Sequence, residues 1–244
     1  MNDKLDSIGI VIPLANESKT TYDLYNSICS SLTSLQYNFT IYLVVDNASK
    51  DNTRSICEEI SSKDDRFVFL WGEDNKNAID AYILGYNKAY DDNHDAVIEM
   101  DGGLSHNPDD IYKFLELLNK NYDCVFGSRF IEGGSIHNSR PSRHYLSRLG
   151  TVFSNLLLGM SYKDGTSGFI AMKREAVSYL LNYGIKSTSH FYQTEIRYIM
   201  KNFKCIETPI TYKSPSASVS SKSIKNSIYL LIYYTFNRFF NSAR

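Results

Sequence analysis

The chain has 244 residues, 43% of them apolar and 22% charged, which is material for one large domain with its own core. A formal net charge of -1 leaves no basic excess for binding a phosphate backbone, so nucleic acid is not expected as a partner. Cys29, Cys57, Cys124 and Cys205 stand far apart, without a Cys-x-x-Cys pair or a metal-type spacing to histidine, and read as reduced core thiols.

The N-terminus carries Asp3, Lys4 and Asp6 and no apolar leader, which points to a cytoplasmic location. Strand-like apolar runs are predicted at 8–13, 40–45, 67–71, 96–100 and 124–127, with helical stretches at 20–35, 52–61, 78–90 and 108–119 between them. This alternation predicts an α/β fold with a mostly parallel sheet and helices on both faces. The runs Ile8-Gly9-Ile10-Val11-Ile12 and Ile41-Tyr42-Leu43-Val44-Val45 lack polar alternation, as central strands covered on both sides require. From 129 to 168 the pattern loosens into loop and site material, with Arg140, Arg143 and Arg148 clustered and a short apolar helix at 149–158. A strand at 169–172, helices at 174–181 and 191–202, and a strand at 205–212 complete a domain spanning 1–213. The remainder, 214–244, is a serine-rich linker followed by an aromatic, amphipathic helix with basic flanks and no acid. That helix is too short to span a bilayer. Its pattern fits a helix lying in a membrane interface, a terminal helix packed on the core, or the contact face of a homo-oligomer.

Polar residues follow four of these strands: Pro13 to Glu17, Asp46 and Asn47, Asp101, and Ser128 with Arg129. In an open α/β sheet, ligands bind beyond the carboxyl ends of the strands. Acids after three strands and an arginine after a fourth suit a sugar nucleotide, with carboxylates toward ribose and metal and a guanidinium toward phosphate. Around Asp101, Gly102 and Gly103 allow close approach of a ligand to the backbone, and Pro108 presets the first turn of the following helix. His106 and His190 lack ligand spacing and read as positional.

At these residues the chain resembles the inverting family 2 glycosyltransferases of GT-A (Rossmann-like) fold, and among them the dolichol-phosphate mannose synthase-like group. The resemblance runs through Ile10-Val11-Ile12-Pro13-Leu14-Ala15-Asn16-Glu17, Val44-Val45-Asp46-Asn47, Met100-Asp101 with Leu104-Ser105-His106-Asn107-Pro108, Gly127-Ser128-Arg129, Thr166-Ser167-Gly168-Phe169 and Gln193 with Glu195. It implies that Pro13, Ala15 and Glu17 line the nucleotide site and that Val44 and Asp46 hold base and ribose. Asp101, with Gly102 and Gly103, faces the diphosphate and its metal, and Arg129 binds phosphate. Gln193 and Glu195 stand near the sugar or acceptor, and Lys222 matches a late Ser-Lys motif. The family's Asp-x-Asp motif reads Asp101-Gly102-Gly103 here, so Mg²⁺ or Mn²⁺ would rest on Asp101, the diphosphate, water and Ser105. Lys76 stands in place of a glycine-rich loop, and Ser214-Pro215-Ser216 replaces a late arginine.

The reaction implied is transfer of a sugar from a nucleotide diphosphate sugar to a polyprenyl phosphate, at the inner face of a membrane. A phosphate monoester is already largely dianionic at neutral pH, so the acceptor needs no strong base. What it needs is cations, and Arg129, Arg140, Arg143, Arg148 and Lys76 supply them. The alternative, transfer to a hydroxyl of a lipid-linked saccharide, needs a base, with Glu195 or Asp164 as candidates. A sugar-nucleotide-binding protein without turnover is the third reading.

Overall fold

The computed structural model describes residues 5–137, 141–213 and 221–240, the side chains of 141–143 excepted. In chain order the elements are β1 (Ser7–Leu14), α1 (Thr21–Leu32), β2 (Asn38–Asp46), α2 (Thr53–Lys63), β3 (Phe67–Gly72), α3 (Ala78–Asp91), β4 (Ala96–Glu99), α4 (Ile111–Asn119), β5 (Cys124–Ser128), β6 (Ser135–Ile136), α5 (Pro141–Leu158), β7 (Ile170–Lys173), α6 (Arg174–Tyr183), α7 (Tyr192–Ile199), β8 (Cys205–Pro209), β9 (Thr211–Tyr212) and α8 (Ser221–Phe240). Seven strands form one sheet in the order β3-β2-β1-β4-β7-β5-β8, parallel except for β7.

The apolar run of β1 lies at the middle of this sheet. Ile8, Ile10 and Ile12 pack into a cluster with Leu24 and Ile28 of α1 and Phe114 of α4. Val11 points the other way, among Tyr82 and Tyr86 of α3 and Tyr192 and Ile196 of α7. Successive residues thus feed two cores, so neither face of the strand tolerates a polar residue. Gly85 brings α3 directly onto Val11, where any β-carbon would collide with the valine.

Strand order reverses beside β1: β2 lies on one side and β4 on the other. The loops after β1 and β4 therefore leave in opposite directions and open a crevice between them. The lone antiparallel strand has a second consequence. Ile170 at the start of β7 pairs with Glu99 near the end of β4 and with Phe126 on β5, so segment 164–169 arrives at the same edge as the loop after β4.

Two features differ from the sequence expectation, and a third selects among its alternatives. The helix expected at 149–158 begins earlier, at Pro141 in the stretch read as loop, and is the 18-residue α5. Its amphipathic pattern is inverted: Thr151 and Ser154 are buried, while Tyr145, Leu146, Leu149, Val152, Phe153 and Leu156 are exposed. The strand expected at 205–212 breaks after Pro209, with β9 leaving the main sheet to pair with β6. Finally, α8 is docked on the domain: Leu230 and Tyr234 are buried with Leu158, Phe191 and Tyr198. The opposite side of α8, with Ile224, Ile228, Ile232, Phe236 and Phe239, stays exposed. The expected linker, Ser214-Pro215-Ser216 included, and Arg140 lie outside the described residues.

Candidate active site

The loop leaving β1 is fixed by its main chain. Asn16 takes a left-handed conformation (φ 59°) that short polar side chains tolerate, and it bonds across to the loop after β2 through Ala48 O, Ser49 Oγ and Lys50 N. The Glu17 amide donates to Thr53 Oγ1 at 2.7 Å, and the Glu17 carbonyl accepts from Thr20 and Thr21 at the start of α1. Ala15 is exposed and Pro13 partly so. Asp46 ends β2 and accepts from the Ala48 amide at 2.8 Å. Val44 does not line the crevice: it is wholly buried between α3 and the sheet, under the pocket floor.

After β4, Asp101 sits at the mouth of the crevice with about a third of its side chain exposed. Its Oδ1 accepts from Tyr82 Oη at 3.0 Å, and its amide donates to His106 Nδ1 at 3.0 Å. That amide bond makes Nδ1 an acceptor and leaves the imidazole proton on Nε2, which has no hydrogen-bond partner and lies 3.8 Å from Asp101 Oδ2. His106 is sealed against Phe169 and Tyr212, and burial holds its pKa below the usual histidine value. Gly102 is a steric necessity, because a β-carbon there would stand 2.6 Å from the Pro13 carbonyl oxygen and 2.5 Å from Leu14. Leu104 carries the backbone strain of this turn at φ 58°. Ser105 is buried, and its carbonyl accepts from the Lys213 amide.

Behind Asp101 lies a group the sequence did not announce. Glu99, two residues earlier on the same face of β4, is completely buried and accepts from the hydroxyls of Tyr86 and Tyr192. Burial pushes its carboxyl up to about 8, against the opposing pull of the two tyrosines. Tyr192 stacks on Tyr82, which in turn donates to Asp101. A β-carbon at Gly168 would stand 3.4 Å from Gln193 Nε2, 3.5 Å from Asp101 Oδ1 and 3.8 Å from Glu99 Oε1. Gln193, the half-buried residue of an otherwise buried helix, thus lies beside Gly168 on the same side as Asp101, and Arg197 Nη1 holds its carbonyl at 2.9 Å. The signal available in sequence was a glutamate inside an apolar strand with tyrosines at positions 82 and 86, spaced i, i+4 on one helix.

Two expected catalytic residues stand differently. Arg129 Nε and Nη2 grip the buried carboxylate of Asp164 at 2.7 and 2.8 Å, and Nη2 also reaches Thr166 Oγ1. Burial raises the Asp164 carboxyl, but the Arg129 guanidinium outweighs it and holds the group below the ordinary carboxylate value. The guanidinium is therefore largely neutralised, with Nη1 the edge not committed to Asp164. Glu195 is a correction. It is completely buried, accepts from the amides of Lys186 and Ser187 at 2.7 and 2.8 Å and from the Tyr234 hydroxyl, and so fastens α8 and the 184–190 loop to α7. Nothing in that position allows it to meet a substrate. Lys76 is exposed just before α3, Lys222 is exposed in the first turn of α8, and Arg148 is exposed with its guanidinium 4.8 Å over the Phe130 ring. The side chain of Arg143 lies outside the described residues.

A crevice at the strand-order reversal of a mostly parallel sheet, with carboxylates at the strand ends, is the architecture of a GT-A fold. The model of glycosyl transferase family 2 matches residues 9–181, and the chain belongs to that family. The polyprenol monophosphomannose synthase of Mycolicibacterium smegmatis is 29% identical over 187 residues, covering 75% of this chain and 71% of the relative. A UDP-N-acetylglucosamine–dolichyl-phosphate N-acetylglucosaminyltransferase of Methanococcus voltae is 30% identical over 194 residues, 74% of each protein. The dolichol-phosphate mannosyltransferase of Pyrococcus furiosus is 28% identical, over 84% of this chain but only 56% of its own length. Among solved structures, glucosyl-3-phosphoglycerate synthase from Mycobacterium tuberculosis, in complex with Mn²⁺, uridine diphosphate and phosphoglyceric acid, superposes with a TM-score of 0.66 at 13% identity, covering 96% of this chain and 78% of that one. That likeness establishes the fold.

Proposed function

We propose that the protein transfers a sugar, with inversion, from a nucleotide diphosphate sugar to a polyprenyl phosphate at a membrane surface. The nucleotide lies in the crevice, against Pro13, Ala15 and Asp46, with Glu17 and Asp101 toward the diphosphate. A bound Mg²⁺ or Mn²⁺ would neutralise charge that develops on the leaving diphosphate. Gln193, held beside Asp101, orients the sugar. Arg129 Nη1, Arg148 and Lys76 are the cations offered to the two phosphate groups, and Asp164 fixes the plane of the Arg129 fork.

The observation that carries the acceptor assignment is the fate of the two candidate bases. Glu195 is buried and saturated, and Asp164 is consumed by Arg129. Transfer to a sugar hydroxyl would lack either of them as a general base. A phosphate with a second pKa of about 6 needs none.

Support for the membrane comes from α5 and α8, which pack side by side: Arg238 Nη1 of α8 donates to the carbonyls of Leu156 and Leu157. Together they present a wide apolar face without an acidic residue in either helix. No helix among the described residues is long and apolar enough to cross a bilayer. A face of this kind suits a lipid surface from which a polyprenyl chain is delivered to the crevice. The test is label transfer from UDP- and GDP-sugars to polyprenyl phosphate, in parallel with a lipid-linked saccharide acceptor. Product with the phosphate alone supports the proposal, and product with the saccharide alone overturns it.

A further inference from the structure

Gly103 stands where an acidic residue would complete an Asp-x-Asp pair, and the structure shows what occupies the space. A β-carbon at this glycine would stand 3.1 Å from Glu17 Oε1 and 3.7 Å from Oε2. The carboxylate of one loop thus lies where the side chain of the other would begin. The backbone does not demand glycine here, because the left-handed turn is taken by Leu104, and the positive-φ glycines are Gly133, Gly159 and Gly184. A side chain at 103 would first meet the Glu17 carboxylate, which would have to give way by a few tenths of an ångström.

We propose that Glu17, reaching across from the β1 loop, supplies the second carboxylate to the divalent cation that accompanies the donor diphosphate, in place of a side chain at position 103. The inference rests on the donor-site reading above.

The Glu17 main chain is held independently, by Thr53 Oγ1 and by the start of α1, so its side chain is not needed to keep the loop in place. Its carboxylate is anchored through Oε2, which accepts from Thr20 Oγ1 at 2.7 Å, and Oε1 is the oxygen turned toward Gly103. Across the crevice Asp101 is oriented by Tyr82 on Oδ1, while the buried, unpartnered Nε2 of His106 is aimed at Oδ2. Two carboxylates from different loops, each fixed from behind, suit a hard cation that takes oxygen ligands. Among the described residues no group of three or more His, Cys, Asp or Glu is placed to hold a metal. The remaining ligands must then come from the diphosphate and water, and metal and nucleotide bind together or weakly.

The experiment titrates Mn²⁺ into the full chain with and without UDP or GDP, reading free Mn²⁺ by electron paramagnetic resonance. Nucleotide binding is measured separately in EDTA by calorimetry. The wild-type chain is expected to take up Mn²⁺ tightly only with nucleotide present. Glu17→Gln should weaken that uptake about 10- to 100-fold, with nucleotide binding in EDTA reduced far less and the melting temperature unchanged. The double variant Glu17→Ala/Gly103→Asp should recover Mn²⁺ uptake, since the freed space then holds the aspartate. Wild-type Mn²⁺ affinity in Glu17→Gln overturns the inference and leaves the donor site standing. An equal loss of metal-free nucleotide binding also overturns it, since Glu17 would then touch the nucleotide itself. Failure of the wild-type chain to bind either nucleotide sinks the donor-site reading and the inference with it.

Discussion

The two halves of the sheet edge treat their charges in opposite ways. After β1, β2 and β4, Glu17, Asp46 and Asp101 are held by amides and hydroxyls, and among the described residues none of the three forms an ion pair with a lysine or arginine. Beyond β5 the buried Arg129 is paired with Asp164, and α5 and α8 leave large apolar side chains exposed. The first half is electrostatically unfinished and complete only with a ligand that brings positive charge. The second is finished electrostatically and unfinished hydrophobically. A donor that carries a metal-bound diphosphate and an acceptor that carries a long hydrocarbon differ in the same sense.

The comparison is broken most severely at Asp164. Asparagine there leaves Arg129 buried without its counter-charge, and the expected cost is about 3–5 kcal/mol in denaturant unfolding. Because the Asp164 pKa is depressed in the fold, its contribution is present above the unfolded carboxylate value and fades as pH falls through the folded one. The stability deficit of Asp164→Asn should therefore shrink in acid. Replacing Asp101 with Asn should leave the fold intact, since the side chain is partly exposed, but lower kcat/KM by about 10²–10³-fold. A comparable loss of stability instead of activity would place Asp101 in the scaffold.

Glu99 sharpens the contrast from beneath. The fold raises its carboxyl from 4.5 to about 8, so between those values the native state keeps a proton that the unfolded chain releases. Stability should fall as pH rises through that window, and Glu99→Gln should flatten the slope, gaining about 4 kcal/mol over wild type at pH ~9 relative to pH ~5. Melting curves at the two values check this, at about 2–4 °C per kcal/mol for a chain of this size. The smallest effect belongs to the outer face. Phe236→Glu with Phe239→Glu should weaken sedimentation with anionic vesicles about tenfold, at about 0.7 kcal/mol per partly inserted aromatic, without changing the turnover of a short-chain, water-soluble polyprenyl phosphate.

Much of this architecture was legible before any coordinates. The continuous apolar runs located β1 and β2, and the acids beyond them located the crevice, because a strand buried on both faces can place polar side chains only at its ends. The failures share one cause. Glu195 reads as an available acid in the same way as Asp101 does, and nothing in one dimension shows that Tyr234, 39 positions later, covers it. Likewise only the 149–158 part of α5 was legible, because its inward face carries Thr151 and Ser154 and the pattern that marks a core-facing helix is reversed.

The sequence by itself determined the order of the elements, the strands at the centre and the carboxylates at their ends, since local periodicity and chain connectivity suffice for these. Only the tertiary structure decided which charges are cancelled, which glutamate occupies the space at Gly103 and which helix faces are left bare. Each of those depends on contacts between residues tens of positions apart, where hydrogen bonding and burial, not residue type, set what a side chain is free to do.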